Sequence, residues 1–529
     1  MVNKFKNIRE ILDNSAEKFA DNVAFKIKLK DKTYDDVTFS RLKYQVESFG
    51  KYLISKGLQG KRIAVIGKNS YSWMLVYLSV LAIDSVIVPL DRGLLENELN
   101  EQLERAEADA IFYTKPFEDK IKNDNLFKIC MEDDAFKACL TEGEKLDSSE
   151  YNNIMIDNSK MSILIFTSGT TSKSKAVMLS QNNICSNVSA LAEWVDLRST
   201  DINMAILPLH HAFGMTQVVL FISVGICNVF CEGLRIAKCL NEYGVTILVG
   251  VPLIIETIYK TVIREIEKHN KLKKVNFGIK ACAALKKINI DLRRKMFSEI
   301  IDKLGGGLRL IISGAAPLDP VVSKWFNDVG ITLIQGYGLS ETAPVVSAEN
   351  QDHIKYGSIG FPLPGNEVKI IDKDDNGIGE IVTRGENVML GYYKDQENTS
   401  KVLVDGWFYT GDMGYIDEEG YIFITGRKKN VIVLNNGKNV FPEEIEGLIS
   451  NANFVKECIV FNRAENGKDS LCAKIVYDKD NFSFDEVKTL ADEHIKLINE
   501  KLVSYKQIRT IELTDVEMEK TTTGKIKRH

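Results

Sequence analysis

The chain has 529 residues, 44% of them hydrophobic and 27% charged, with a formal net charge of -5. That length exceeds one ordinary hydrophobic core and leads us to expect about three to four domain-sized units. The apolar content excludes a disordered chain, and the acidic balance argues against nucleic acid as a general partner, because phosphate backbones are bound by positive fields.

The opening residues, Met1-Val-Asn-Lys-Phe-Lys6, contain no apolar run, so no secretory signal is expected. Apolar side chains recur at helical spacing over residues 7–20 and 40–57. From Arg62 onward, short β-rich runs alternate with amphipathic helical patterns: Ile63–Ile66, Ala110–Tyr113, Ile163–Phe166, Thr246–Val249, Leu310–Ile312 and Thr332–Ile334. Continuous apolar runs of this kind predict parallel strands covered on both faces, several of them ending in glycine-rich turns where open α/β sheets bind ligands.

The most apolar stretches are Trp73–Leu90 and Met215–Cys231. Asp84 and Pro89 interrupt the first and Gly225 the second, so each reads as a buried helix followed by a buried strand, not a membrane span. The nine cysteines form no Cys-x-x-Cys pair, and Cys227, Cys231 and Cys239 have no histidine beside them. Reduced thiols and a cytoplasmic location are expected.

After about Gly357 the texture becomes turn-rich β, and Asn436-Gly437 is a strong hairpin signal between runs 431–434 and 438–440. The remainder reads β-α-β-β-α-β, with helices near 442–451 and 483–501. The expected fold is α/β. Residues 1–427 would form a large N-terminal domain of layered α/β subdomains plus a β-rich subdomain, and 428–529 a small α+β C-terminal domain.

Three polar segments carry chemistry-bearing side chains. In the first, strand Ile163–Phe166 enters Thr167, Ser168, Gly169, Thr170, Thr171, Ser172, Lys173, Ser174 and Lys175. Exposed backbone N–H groups, hydroxyls and two ammonium groups suit a polyphosphate. The Gly-Lys-Ser/Thr ending of a Walker A loop is missing, and a plain solvent loop is the alternative. In the second, Gln335-Gly-Tyr337-Gly338-Leu-Ser-Glu341-Thr342, two glycines let a planar ring approach backbone, and Glu341 offers a hard oxygen ligand for Mg²⁺. A helix start capped by Ser340 explains the same residues. In the third, Tyr409-Thr-Gly-Asp412 places a carboxylate after a tight turn, apt for vicinal ribose hydroxyls, with Arg427 and Lys525 downstream. A basic terminus is also simply a solvated tail.

The order and wording of these segments resemble the adenylate-forming superfamily of acyl-CoA synthetases, non-ribosomal adenylation domains and beetle luciferases. The resemblance runs from about Ile8 to Lys525. It also rests on Pro208-Leu-His-His-Ala-Phe-Gly214, Ser313-Gly-Ala-Ala-Pro317, Arg384-Gly-Glu-Asn-Val-Met-Leu-Gly-Tyr-Tyr393 and Gly437-Lys-Asn-Val-Phe-Pro-Glu-Glu-Ile-Glu446. The last of these, with Gly426-Arg-Lys-Lys429, is most similar to fatty-acyl-CoA ligases.

The resemblance implies a large N-terminal domain, a mobile C-terminal lid, and two steps. A carboxylate first attacks the α-phosphate of ATP, giving acyl-AMP and pyrophosphate. The lid then rotates, and the pantetheine thiol of coenzyme A attacks the acyl carbon; transfer to a carrier protein's phosphopantetheine is the alternative. By position, Thr167, Ser168, Gly169, Thr170, Thr171 and Lys175 would hold the β- and γ-phosphates, Glu341 the Mg²⁺, and Thr342 the α-phosphate. Ser313, Gly314, Ala315, Ala316, Tyr337 and Gly338 would frame adenine, and Asp412 and Arg427 would bind ribose.

Lys525 would bridge carboxylate and α-phosphate, help of a kind commonly worth ~3–4 kcal/mol per donor. His211 matches the gate beside the acyl carboxylate, a packed histidine being the alternative. Lys429 falls at the hinge, and Gly437, in the hairpin, would line the pantetheine tunnel. Ser172, Ser174 and Ala176 depart from the usual glycine, proline and glycine, so the first loop is expected to be stiffer or differently shaped.

Amino-acid adenylation needs an aspartate near residues 208–214, and none stands there. A medium- or long-chain fatty acid is therefore expected, with an aryl acid as the alternative. The acyl pocket would draw on Phe213, Met215, Val218, Val251, Leu253 and Val345. Residues 264–295 hold eleven Lys or Arg against three acids, a local charge of +8. That segment is either a solvated helical face or a patch for the 3′-phosphate of CoA, an acidic carrier protein or anionic lipid. Any membrane contact would be peripheral.

Overall fold

The computed structural model describes residues 4–29, 33–167, 174–231, 236–434, 438–465, 468–520, 526 and 528. The chain divides into two compact units, one containing residues up to 167, 174–367 and 383–408, the other containing 368–382 and 409 onward.

Two sheets build the first unit. A seven-stranded sheet runs Gly391–Tyr392, Lys175–Ser180, Met161–Thr167, Val86–Leu90, Arg62–Ile66, Ala110–Tyr113 and Phe127–Cys130. Its last five strands are parallel. A nine-stranded sheet runs Phe361–Pro362, Val345–Ala348, Thr332–Gly338, Leu310–Ser313, Ile247–Gly250, Ile202–Ala205, Cys227–Phe230, Val23–Lys28 and Tyr34–Thr38. Its six central and adjoining strands, from Thr332–Gly338 to Val23–Lys28, are parallel.

The apolar stretches resolve as the periodicity predicts. Helix Tyr71–Ala82 is buried from Trp73 to Ala82 and is followed by the fully buried strand Val86–Leu90. Helix Ala212–Ser223 precedes strand Cys227–Phe230. Both helices are apolar all round because sheet and helices enclose them. The main core includes Phe25, Trp73, Tyr77, Phe112 and Phe221, each a side chain worth about 1.5–3 kcal/mol when buried. Among the described residues no helix is long and apolar enough to cross a membrane.

In place of the expected nine reduced thiols, the structure joins Cys231 and Cys239 in a disulfide. Strand Cys227–Phe230 ends close to helix Ile236–Tyr243, which brings the two Cα atoms to 6.5 Å, within bridging range. The other seven cysteines are free.

In the second unit, the strand pair Trp407–Ile416 and Ile422–Arg427 is antiparallel, and the first of these also neighbours Gly379–Arg384. A short ladder, Ile432–Val433 with Asn439–Val440, flanks the predicted hairpin turn; residues 435–437, Gly437 included, lie outside the described residues. Helices Pro442–Ser450 and Phe484–Asn499 pack with strands Val455–Glu465, Lys468–Tyr477 and Thr510–Thr514 around a core of their own, which includes Val440, Ile445, Ile449, Ile475 and Val487.

Candidate active site

Three parallel strands of the larger sheet share one level of register: Gly250 pairs with Ser313, and Ser313 with Gln335. Past this level Val251 and Gly314–Ala316 leave the sheet, while Gly336–Gly338 continue their strand by pairing with Val345–Ala348, together as expected of a binding edge in an open α/β sheet. The neighbouring strand Ile202–Ala205 delivers Pro208–Gly214 to the same side. Gly214 is obligatory there, since a Cβ would lie 2.1 Å from the Pro208 carbonyl oxygen. Phe213 reaches Gly314, where a Cβ would stand 2.8 Å from the ring. Ser313 is buried, and its Oγ has no hydrogen-bond partner among the described residues. Ala315 adopts φ 71°, and Tyr337 is buried at the end of its strand.

His211 occupies the residue before helix Ala212–Ser223, its ring centroid 4.2 Å from that of His210. His210 is buried, with Nε2 3.3 Å from Asp91 Oδ1. Burial alone would raise the Asp91 carboxyl, but His210 and the Gly93 N–H outweigh it and hold the group down at about 2. Met215 and Val218 are fully buried in the main core, and Val345 packs with Ala190, Ala348 and Leu363. Leu253 does not line a pocket; it is exposed on the first turn of helix Pro252–Lys268.

The second expected segment forms a single 3-10 turn, Ser340–Thr342. Ser340 is not its cap: the Leu339 N–H donates to Thr342 Oγ1 at 3.0 Å, and Thr342 is fully buried. Glu341 Oε1 accepts from the Tyr392 hydroxyl at 3.0 Å, and Lys175 Nζ lies 4.6 Å from the centre of the Tyr392 ring. Burial, then the charge of Glu341, pushes the Tyr392 hydroxyl up and keeps it a donor. The turn is latched to the following segment by Met389 N–H donating to the Glu341 carbonyl at 2.8 Å and Asn387 Nδ2 to the Thr342 carbonyl at 2.9 Å. Thr167, the last residue of its strand, pairs with Lys175, the first of the next. Ser168, Gly169, Thr170 and Thr171 lie outside the described residues.

In the second unit, Asp412 and Arg427 face each other across paired strands, with Arg427 Nε 2.8 Å from Asp412 Oδ1. Lys428 Nζ donates to buried Glu380 at 2.6 Å, and the Gly411 N–H donates to the same carboxylate at 3.1 Å. Asn430 Nδ2 donates to Glu443 Oε1 at 2.6 Å. Lys429 thus sits between two anchored neighbours. Lys525 lies outside the described residues.

A family model for the AMP-binding enzyme matches residues 12–393, and one for the AMP-binding enzyme C-terminal domain matches 429–529. The chain belongs to the AMP-binding enzymes, the adenylate-forming superfamily. This AMP-binding enzyme is 28% identical over 489 residues to the long-chain-fatty-acid–CoA ligase FadD15 of Mycobacterium bovis, spanning 86% of this chain and 79% of that one. It is 26% identical to the long-chain-fatty-acid–[acyl-carrier-protein] ligase AEE15 of Arabidopsis thaliana, spanning 87% and 75%. Its fold matches the O-succinylbenzoate coenzyme A synthetase of Bacillus subtilis, solved with AMP, at a TM-score of 0.76 and 21% identity over 98% of this chain and 97% of that one.

Three residues of this AMP-binding enzyme that its sequence does not single out come forward in the geometry. Tyr392 lies inside a recognisable segment, but only the fold sets it against Glu341. Arg105 donates to Ser174 Oγ at 3.0 Å and to the Ser174 carbonyl at 2.6 Å, fixing the residue that precedes strand Lys175–Ser180. Asp91 follows the strand Val86–Leu90, and a lone acid after an apolar run is its one visible signal.

Proposed function

We propose that this enzyme is an ATP-dependent acid–thiol ligase, an acyl-CoA synthetase that activates a medium- or long-chain fatty acid as acyl-adenylate and transfers the acyl group to coenzyme A. The observation that carries the reading is the chain Lys175–Tyr392–Glu341, a cation, a hydroxyl donor and a carboxylate beside the latched Ser340–Thr342 turn. The relatives named as long-chain-fatty-acid–CoA ligases support the choice of acid and thiol.

The residues fit the reactants. Ser313 offers a buried hydroxyl with an unused hydrogen-bonding capacity at the adenine edge. Among the described residues no group of three His, Cys, Asp or Glu side chains is placed to hold a metal. Mg²⁺ commonly uses one or two carboxylates plus substrate phosphates, so Glu341 fits a metal arriving with ATP. There Mg²⁺ supplies charge neutralisation for the departing pyrophosphate.

Lys175 and Thr167–Thr171 bind the terminal phosphates, and Thr342 orients the α-phosphate. Ser313–Ala316 with Tyr337 and Gly338 take adenine, and Asp412 with Arg427 takes the ribose. Phe213, Met215 and Val251 bound the acyl chain, with His211 beside its carboxylate. Lys525 offsets negative charge as the carboxylate oxygen bonds to the α-phosphorus and the bond to pyrophosphate breaks. In the second step, residues 428–529 turn about Lys429, Gly437 lines the tunnel, and the thiol sulfur displaces AMP from the acyl carbon.

Lys525→Ala should abolish acid-dependent ATP–pyrophosphate exchange while thiolysis of preformed acyl-adenylate persists; unchanged exchange refutes the role. Pyrophosphate release across fatty, aryl and amino acids tests the substrate. A second reading, transfer to a carrier protein, is favoured by the likeness to the acyl-carrier-protein ligase. It predicts faster turnover with a holo-carrier protein than with CoA.

A further inference from the structure

Residues 264–295 concentrate charge of one sign on a protein of the other, +8 within a chain of -5. Most of this segment is helix Pro252–Lys268, helix Leu272–Lys286 and the short helix Arg293–Met296. Helix Leu272–Lys286 seats one side against the fold: Gly278 lies where a Cβ would stand 3.1 Å from Met296 Sδ and 3.2 Å from the Phe297 ring, and Cys282 Sγ is 3.6 Å from Met296 Sδ. Its other side is fixed by the helical repeat. Lys273, Phe277, Lys280, Ala284 and Lys287 recur at intervals of four, three, four and three residues, so they share one outward row.

Two features distinguish this row from a solvated face. Some of the segment's cations are spent on structure: Lys271 pairs with Glu299, Arg293 with Asp291, and Arg294 donates to the carbonyls of Leu308, Gly330 and Gly306. Lys273, Lys274, Lys280, Lys286, Lys287 and Lys295 are exposed instead and make no ion pair among the described residues. Large apolar side chains also stand among them, with Phe277 74% exposed, Ile288 64%, Met296 47%, Ile290 43% and Leu292 40%. A solvated helix gains nothing from an aromatic ring held in water, and a phosphate site needs no apolar neighbours. Unpaired lysines surrounding exposed phenylalanine, isoleucine and leucine match an interface with anionic headgroups above and acyl chains below.

We propose that this face is a docking surface for an anionic lipid bilayer, with Phe277 and Ile288 entering the headgroup boundary and the unpaired lysines meeting lipid phosphates. Binding is peripheral and reversible, and it weakens with salt, because each lysine contributes through a screened field.

The test uses the full chain with vesicles of phosphatidylcholine alone and of an equal mixture of phosphatidylcholine and phosphatidylglycerol, in a co-sedimentation assay. The wild-type chain should sediment with the mixed vesicles at low salt and stay in solution with the neutral ones. Lys273→Glu, Lys280→Glu and Lys287→Glu combined should lower partition on the order of a hundredfold, at roughly tenfold or less per lysine near the surface. Phe277→Trp, at an exposed position that leaves folding unaffected, should add an emission that shifts to the blue only with mixed vesicles. The proposal is overturned by sedimentation that ignores phosphatidylglycerol, by a triple variant that partitions as wild type, or by emission of the Phe277→Trp variant that vesicles leave unchanged. It is overturned equally if the triple variant loses only transfer to an acidic holo-carrier protein, which would make this face a protein contact.

Discussion

At the scale of single residues, Tyr392 ties Glu341 to Lys175 through one hydroxyl and one ring face. Hydrogen bonds to charged groups are worth about 1.5–3 kcal/mol, so Tyr392→Phe should slow acid-dependent pyrophosphate exchange roughly tenfold or more. The loss should be partly recovered at high Mg²⁺, read from exchange rates across a magnesium titration. Glu349 offers a second test. Its carboxylate is fully buried and accepts from the N–H groups of Gln335 and Lys355, both at 2.9 Å. Burial pushes its pKa up from 4.5 to about 7. A carboxyl raised in the folded state binds more protons than in the unfolded chain, so its contribution is most favourable at low pH and is lost as pH rises from 4.5 to about 7. Glu349→Gln should therefore gain on the wild type across that window by roughly 3 kcal/mol, seen as converging or crossing urea midpoints. A parallel pH dependence of the two proteins would sink the assignment. Neither residue is legible from the chain alone. Glu341, Asp412 and Arg427 lie in recognisable segments, whereas Tyr392 acts on Glu341 from 51 positions away.

At the scale of elements, the segment 428–430 has both ends fastened, Lys428 to Glu380 and Asn430 to Glu443. In the rotation of residues 428–529 proposed above, the change falls on the dihedrals of Lys429. Proline at that position fixes φ near -65° and restricts the preceding residue. Lys429→Pro should therefore leave one half-reaction within a few-fold of wild type and cut the other by about a hundredfold, measured separately as pyrophosphate exchange and thiolysis of acyl-adenylate. Equal effects on both would remove the hinge role. Elements themselves are largely readable. Ala110–Tyr113 is a strand with the predicted bounds, and the run Trp73–Leu90 separates into helix and strand as its length and interruptions require. The end of strand Thr332–Gly338 is not, because Gly336 and Gly338 look like turn residues. The strand continues through them by pairing with Val345–Ala348, a partner that local sequence does not announce.

At the scale of the whole molecule, the C-terminal elements enclose a core drawn from residues 432–513 alone. A region with its own core can unfold on its own, so calorimetry should record two transitions, the smaller one removed when the chain is cut after Arg427. The Cys231–Cys239 bridge bears on the other unit. It closes a loop of eight positions, for which chain entropy gives about 2.5 kcal/mol. Reductant should lower the larger transition, and Cys231→Ser should do so with no further effect of reductant. No spacing rule marks that pair among nine cysteines, since bridging depends on where a strand and a helix happen to end.

The matched rungs Gly250, Ser313 and Gln335 have one further result. Neighbouring strands are spaced about 4.8 Å apart by their ladders, so the three segments that continue past these rungs are set out at equal steps, like graduations on a rule. The side chains just past the rungs can then be exchanged segment by segment without disturbing the interval between them. A slip of one rung deep in the sheet, far from any reacting atom, would misplace every one of them at once.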